Sequence, residues 1–227
     1  MALEPVTNEA GHWRDPDWDG TTAGTFAIII GCSSYPHFNG GDQVGSVNMP
    51  WMKEAQRLGQ LYVSALTAQR FFDWLSDDYT IDGAPPVSCR MLLSPTPNEV
   101  AADPRIGQHQ LAPTLPNCKT AMGHWLADIA GLSDQAREKS RLMFFFSGHG
   151  LQSTQDQQIL LPSDYLGDPF LNVNHAISTQ NLLHGLKSIK VPYRYYFLDA
   201  CRNDANEIRA MRPKGDDFLP VYPHQQH

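Results

Sequence analysis

The sequence predicts an α/β fold, a three-layer sandwich around a mostly parallel central sheet. Three observations carry the prediction. Four short apolar runs, at residues 25–30, 87–93, 142–146 and 194–198, have the length and composition of strands buried in a sheet. Between them lie stretches with apolar residues at three- and four-residue steps, the mark of amphipathic helices. No internal repeat breaks the alternation, and no apolar run approaches a membrane span.

Composition narrows the function classes. A chain of 227 residues is long enough for one domain with a sizeable core. The net charge is −7, with 18% charged residues and no block of Lys or Arg, which argues against a nucleic-acid partner. Four cysteines stand at 32, 89, 118 and 201 with no CxxC pair, so neither a zinc knuckle nor a disulfide scaffold is indicated. Cys32 and Cys89, near strand ends, read as small core residues. The opening Met1-Ala2-Leu3-Glu4-Pro5 lacks the basic and apolar regions of a signal peptide. The expectation is a cytoplasmic protein, with Cys201 a free thiol and no membrane contact.

Taken in order, residues 1–24 are polar and read as a flexible N-terminal arm. Thr25–Ile30 is a strand ended by Gly31, and a loop rich in Gly, Ser, Asn and Pro runs to about residue 50. Residues 51–76 read as one helix with Leu61, Ala65, Ala68, Phe71, Phe72 and Leu75 on its apolar face. Val87–Leu93 is the second strand. Residues 94–117 hold five of the 17 prolines and read as a long loop. Thr120 is a candidate cap for a helix to Ala130 bearing Met122, Trp125, Leu126 and Ile129. After the strand 142–146 come a polar stretch at 151–158, a short extended piece Ile159–Pro162, and Asp164. Ser178 is a candidate cap for a helix through Leu182, Leu183, Leu186 and Ile189, which leads to the fourth strand. Trp51, Trp74 and Trp125 fall in helical patterns and read as core. Beyond Cys201 no strand pattern follows, so the fourth strand needs cover at its open edge. Residues 205–227, with Arg209, Arg212 and Lys214, read as a polar C-terminal tail or processing linker. His224 and His227 in that tail form no metal motif.

Two strand ends carry chemistry. Leu142–Phe146 runs into Ser147-Gly148-His149-Gly150, and Tyr195–Leu198 runs into Asp199-Ala200-Cys201-Arg202. A lone histidine after a strand is usually a satisfied loop residue, and a lone cysteine is usually buried and inert. Their pairing changes the balance, because ligands of parallel α/β sheets bind at the carboxyl ends of the strands. If the two strands are neighbours, His149 and Cys201 meet at one edge. A thiol attacks only as thiolate, and a histidine both removes its proton and later protonates a leaving amine. Metal binding is the rival use of Cys and His, but a third ligand is missing.

Ser147-Gly148-His149-Gly150 with Asp199-Ala200-Cys201-Arg202 resembles the caspase-like cysteine peptidases, family C14 of clan CD. The local pattern is closer to their bacterial caspase-like and metacaspase branch than to animal caspases. Positions 149 and 201 agree with the His-to-Cys spacing of about 50 residues in that signature. Ile159-Leu160-Leu161-Pro162-Ser163-Asp164 and the opening strand Ala27–Gly31 resemble further elements of the branch, so the likeness covers about residues 25–204. It implies a large-subunit-like peptidase domain over 25–204. Cys201 would be the nucleophile, His149 the general base and acid, and the backbone N–H groups of Gly150 and Cys201 the oxyanion hole. Asp199 would line the S1 pocket and favour Arg or Lys at P1, with no cofactor and no metal. A second acidic wall of that pocket usually comes from the helix after the first strand. Here that helix reads Val63-Ser64-Ala65, and Asp42 or Glu54 is the candidate replacement. The family's C-terminal strands are lacking, which the resemblance reads as a processed large fragment, a cropped piece or a domain completed by a partner. Implied partners are a protein or peptide substrate, a small-subunit fragment and a regulatory sensor, in a bacterial defence setting. The alternatives are a non-catalytic caspase-like interaction module and an unrelated α/β hydrolase or transferase.

Overall fold

The central sheet forms because its strands are apolar on both faces. The structure, a computed structural model, describes residues 3–45, 52–108, 111–153, 157–167, 173–201, 210 and 212–216. Among these, the strands are β1 (Glu4–Pro5), β2 (His12–Arg14), β3 (Thr25–Cys32), β4 (Pro86–Ser94), β5 (Arg141–Gly148), β6 (Gly150–Gln152), β7 (Gln158–Leu160), β8 (Ile177–Ser178) and β9 (Tyr193–Ala200). The main sheet has the order β1-β2-β4-β3-β5-β9. β4, β3, β5 and β9 run parallel, and β1 and β2 add antiparallel at one edge. This is the predicted mostly parallel sheet. Every residue of β3 is buried, as its central place requires.

Alternate residues supply two cores. Ile28, Ile30, Phe144 and Phe146 face the helix α4 (Leu115–Ala130), where Trp125 is fully buried. Ala27, Ile29, Met143 and Phe145 face the helix α2 (Ser64–Asp73). The layers are therefore helix, sheet, helix. A second sheet, β6-β7-β8, folds back from the end of β5. The helix α6 (Thr179–Lys187) follows it, and the Ser178 hydroxyl accepts from the Asn181 N–H at 3.2 Å as the expected cap. Among the described residues no helix is long and apolar enough to cross a membrane.

Several expectations change. Residues 3–24 are not a loose arm: Leu3, Trp13 and Trp18 are buried, and His12 bonds Ser88 at 3.2 Å while Arg90 pairs with Asp128 at 3.0 Å beneath the added strands. The predicted helix 51–76 is interrupted. A short α1 (Met52–Gln56) stops before Gly59, whose φ of +70° lies in the left-handed region, and α2 begins afresh at Ser64. Trp74 ends that helix 38% exposed against Phe71 and Tyr79, so it is not core; Trp51 lies outside the described residues.

The proline-rich stretch 94–117 is also structured. Pro97 and Pro104 open α3 (Pro97–Ala102) and a 3₁₀ turn (Pro104–Gly107), and Pro116 stands in the first turn of α4. Thr96, Asp103 and Thr114 cap these starts, so α4 begins five residues before Thr120. A further helix, α5 (Asp134–Lys139), precedes β5. Finally, residues 212–216 of the expected tail are docked. Asp216 bridges to Ile177 beside β8 and pairs with Lys119, and the Ser153 hydroxyl donates to the Pro213 carbonyl.

Candidate active site

β5 and β9 are parallel neighbours, with Ser147 opposite Asp199 and Gly148 opposite Ala200. His149 and Cys201 are thus the next residues past two adjacent strand ends, on one edge of the sheet. A close backbone approach fixes the turn there. A Cβ on Gly150 would lie 2.7 Å from the Cys201 carbonyl oxygen and 3.2 Å from the Ala200 Cβ, so only glycine fits against the end of β9. The buried Gln158 side chain, on β7, donates to the carbonyls of Ala200 and Cys201, each at 3.3 Å. Cys201 is an exposed free thiol. Cys32, Cys89 and Cys118 are buried, and loss of hydration raises all three thiols, Cys32 to about 12. Of the four cysteines, only Cys201 is presented to solvent.

His149 is held from every side. Its N–H donates to the Tyr35 hydroxyl at 2.9 Å, and its carbonyl accepts from the Leu161 N–H at 2.9 Å. Tyr35 in turn donates to the Leu161 carbonyl at 3.4 Å, which closes a triangle. Burial keeps the Tyr35 phenol protonated by raising it well above its ordinary value. The imidazole packs on the Tyr35 ring at 4.9 Å and on Phe38 at 5.7 Å. Its Nε2 lies 3.1 Å from the Gly59 carbonyl, which can only accept. In the neutral ring the proton therefore sits on Nε2, and Nδ1 carries the free lone pair. Burial lowers the imidazole below its ordinary value, and the Gly59 carbonyl opposes this in part. The ring is accordingly a neutral base at pH 7 and stays so to lower pH than an exposed histidine.

Asp199 is exposed at the end of β9, on the α2 face of the sheet, and one of its oxygens accepts from the buried Ser147 hydroxyl at 2.9 Å. The Gly150 N–H is outside the β6–β7 ladder. Gly150 faces Leu160 as a non-hydrogen-bonded pair, because the bond beside it runs from Leu161 to His149. Asp42 stands in the loop after β3 and lines a cleft whose lining does not include Asp199. The side chain of Glu54 lies outside the described residues, as does Arg209.

The comparisons with known proteins follow this geometry. A family model described as a caspase domain matches residues 117–225, the part that contains β5, β9 and both strand ends. Over that part the chain is similar to the caspase-like peptidases. A protein from a Desulfuromonadales bacterium, named as a probable protease, is 26% identical over 160 residues. The match covers 69% of this chain and 17% of that protein, so the chain spans about a sixth of the relative's length. No solved structure matches the chain. Tyr35, Gly59, Ser147 and Gln158 stand around the two motif residues. Tyr35, Gly59 and Gln158 were not singled out by sequence reasoning, and Ser147 entered only as part of its motif, because each is joined to its partner only by tertiary closure.

Tyr35→Phe tests the clamp. It removes the acceptor of a buried N–H, an effect of about 1–3 kcal/mol on stability. If the site hydrolyses peptides through His149, kcat is expected to fall several-fold with KM nearly unchanged. The acid limb of the pH–rate profile should stay below about 6.5, because the burial that lowers His149 persists.

Proposed function

We propose that this chain is the catalytic part of a cysteine endopeptidase that cleaves after Arg or Lys. The reading is carried by the register of β5 and β9, which sets an exposed thiol and a buried neutral imidazole on adjacent strand ends. His149 Nδ1 takes the thiol proton of Cys201. The thiolate attacks the scissile carbonyl carbon, and its oxygen becomes an oxyanion facing the N–H groups of Gly150 and Cys201. The imidazolium returns the proton to the leaving nitrogen as the C–N bond breaks, which leaves an acyl thioester. His149 then draws a proton from water, the hydroxide attacks the thioester, and Cys201 departs as the acid is released.

Asp199 would receive the P1 guanidinium or ammonium on the α2 face, with its carboxylate oriented by Ser147. An outside partner or signal would control the activity. Support for this is that β9 is half-exposed: Tyr193, Tyr195, Phe197 and Leu198 are 38–49% accessible on a strand paired along one side only among the described residues.

Fluorogenic peptides differing only at P1 test the reading, with thiol alkylation read in parallel. Fast labelling of Cys201 and a preference for Arg or Lys are expected. Asp199→Asn should reduce that preference about 10- to 100-fold, the effect of one charge-assisted hydrogen-bonded pair. An unreactive Cys201, or cleavage indifferent to P1 charge, would count against the enzyme or the pocket respectively. The first outcome would favour a caspase-like interaction module.

A further inference from the structure

On the far side of His149 from Cys201, the edge of the sheet opens into a cleft of about 750 Å³. Its lining includes Ser34, Asn39, Asp42, Gln60 and Thr96, from the loops that leave β3 and β4 and approach α2. The strand order β4-β3-β5-β9 puts this cleft and Cys201 on opposite sides of the imidazole. Gly59 belongs to both places: it lines the cleft, and its carbonyl accepts from His149. The floor is preformed. The Gln60 amide accepts from the Tyr35 N–H at 2.8 Å and donates to the carbonyls of Tyr35 at 2.9 Å and Asn39 at 3.2 Å.

The chemistry gives this layout a direction. The acyl carbon must reach the Cys201 sulfur, and the leaving nitrogen must come within hydrogen-bond reach of the imidazole. The peptide after the scissile bond therefore crosses His149 and runs toward the β3–β4 side. We propose that this cleft is the primed-side subsite of the peptidase, and that it selects a cationic side chain in the first residues after the cut. Asp42 is exposed, and it is the one charged residue among the described residues lining the cleft. The hydroxyls and amides around it suit a polar substrate. Asp42 therefore acts at the leaving-group side and not as a second wall of the pocket built on Asp199. The inference rests on the peptidase reading, and the test separates the two.

Dye-labelled peptides Gly-Ala-Arg-Lys-Lys-Gly and Gly-Ala-Arg-Glu-Glu-Gly are titrated by anisotropy into the full chain carrying Cys201→Ala. The same pair is incubated with the chain carrying Cys201. The Lys peptide is expected to bind more tightly. Adding Asp42→Lys should shift the Lys-to-Glu affinity ratio by about tenfold toward Glu, less so at high salt. Cleavage of both peptides with a ratio that Asp42→Lys does not move overturns the subsite and leaves the peptidase. Asp42-dependent selectivity without cleavage keeps the cleft as a peptide site and overturns the peptidase. Neither binding nor cleavage overturns both.

Discussion

Cys201→Ala is expected to lower peptide hydrolysis about ten-thousandfold or more, to the residual rate that substrate binding and the oxyanion donors supply without a nucleophile. The size of the effect follows from the chemistry. Without the sulfur no acyl intermediate forms, and the neighbouring groups have nothing to activate. The fold should be untouched, because Cys201 is exposed and an exposed substitution shifts stability by about 0.5 kcal/mol or less. His149→Ala should lower the rate to a similar floor, and the double variant should be no worse than either single one, because base and nucleophile act as a unit. His149→Ala should differ in stability, since it leaves a void between the rings of Tyr35 and Phe38. Kinetics with chemical denaturation on the three variants checks the pattern. Full activity in Cys201→Ala would remove covalent catalysis from the account.

The second large effect is on folding. Glu99→Ala should destabilise the chain by about 3–5 kcal/mol, the cost of several orphaned buried donors and a large part of the stability of many domains. Glu99 is 1% exposed, and its carboxylate joins four segments. One oxygen accepts from the Ser33 hydroxyl at 2.8 Å and from the N–H groups of Ala65 at 3.2 Å and Leu66 at 3.4 Å. The other accepts from the Thr96 N–H at 2.8 Å and its hydroxyl at 3.0 Å. It thus caps α2 and α3 and ties together the loops that leave β3 and β4. Removing it orphans buried donors at two helix starts. Glu99→Gln keeps the shape but turns an NH₂ toward donors, so only part of the loss should return. A urea midpoint that falls in both variants at constant m-value checks this. The exposed pair of Arg105 with Asp73 sets the contrast: its guanidinium is 60% exposed, and such pairs contribute about 1 kcal/mol or less.

The reach of sequence reasoning divides along physical lines. β3, β4 and β5 were legible because strands of a covered parallel sheet are runs of apolar residues, and β9 carries a similar apolar run although it stands half-exposed at the margin. β2 was not, since His12-Trp13-Arg14 shows no alternation and only its pairing with β4 reveals it. The prolines of 94–117 were misread as loop markers. Thr96-Pro97, Asp103-Pro104 and Thr114 with Pro116 are cap-and-proline starts, a signal that was present in the chain. At the candidate site, motif and spacing singled out His149 and Cys201, and the pairing of β5 with β9 puts their strand ends side by side. Tyr35 and Glu99 were not, because a phenol 114 residues from its partner and a carboxylate 34 residues from the helix it caps have no local signature.

The two motif residues sit on unequal mechanical supports. His149 follows β5, which is paired on both sides, and is further pinned by Tyr35, Leu161 and Gly59. Cys201 follows β9, the margin of the sheet, where one row of backbone groups has no strand beside it among the described residues. On the proposed peptidase reading the base would be the fixed point and the nucleophile the adjustable one. Whatever lies along that margin would then set the angle at which sulfur meets substrate, and turnover would be a property of what has been assembled and not of this chain by itself.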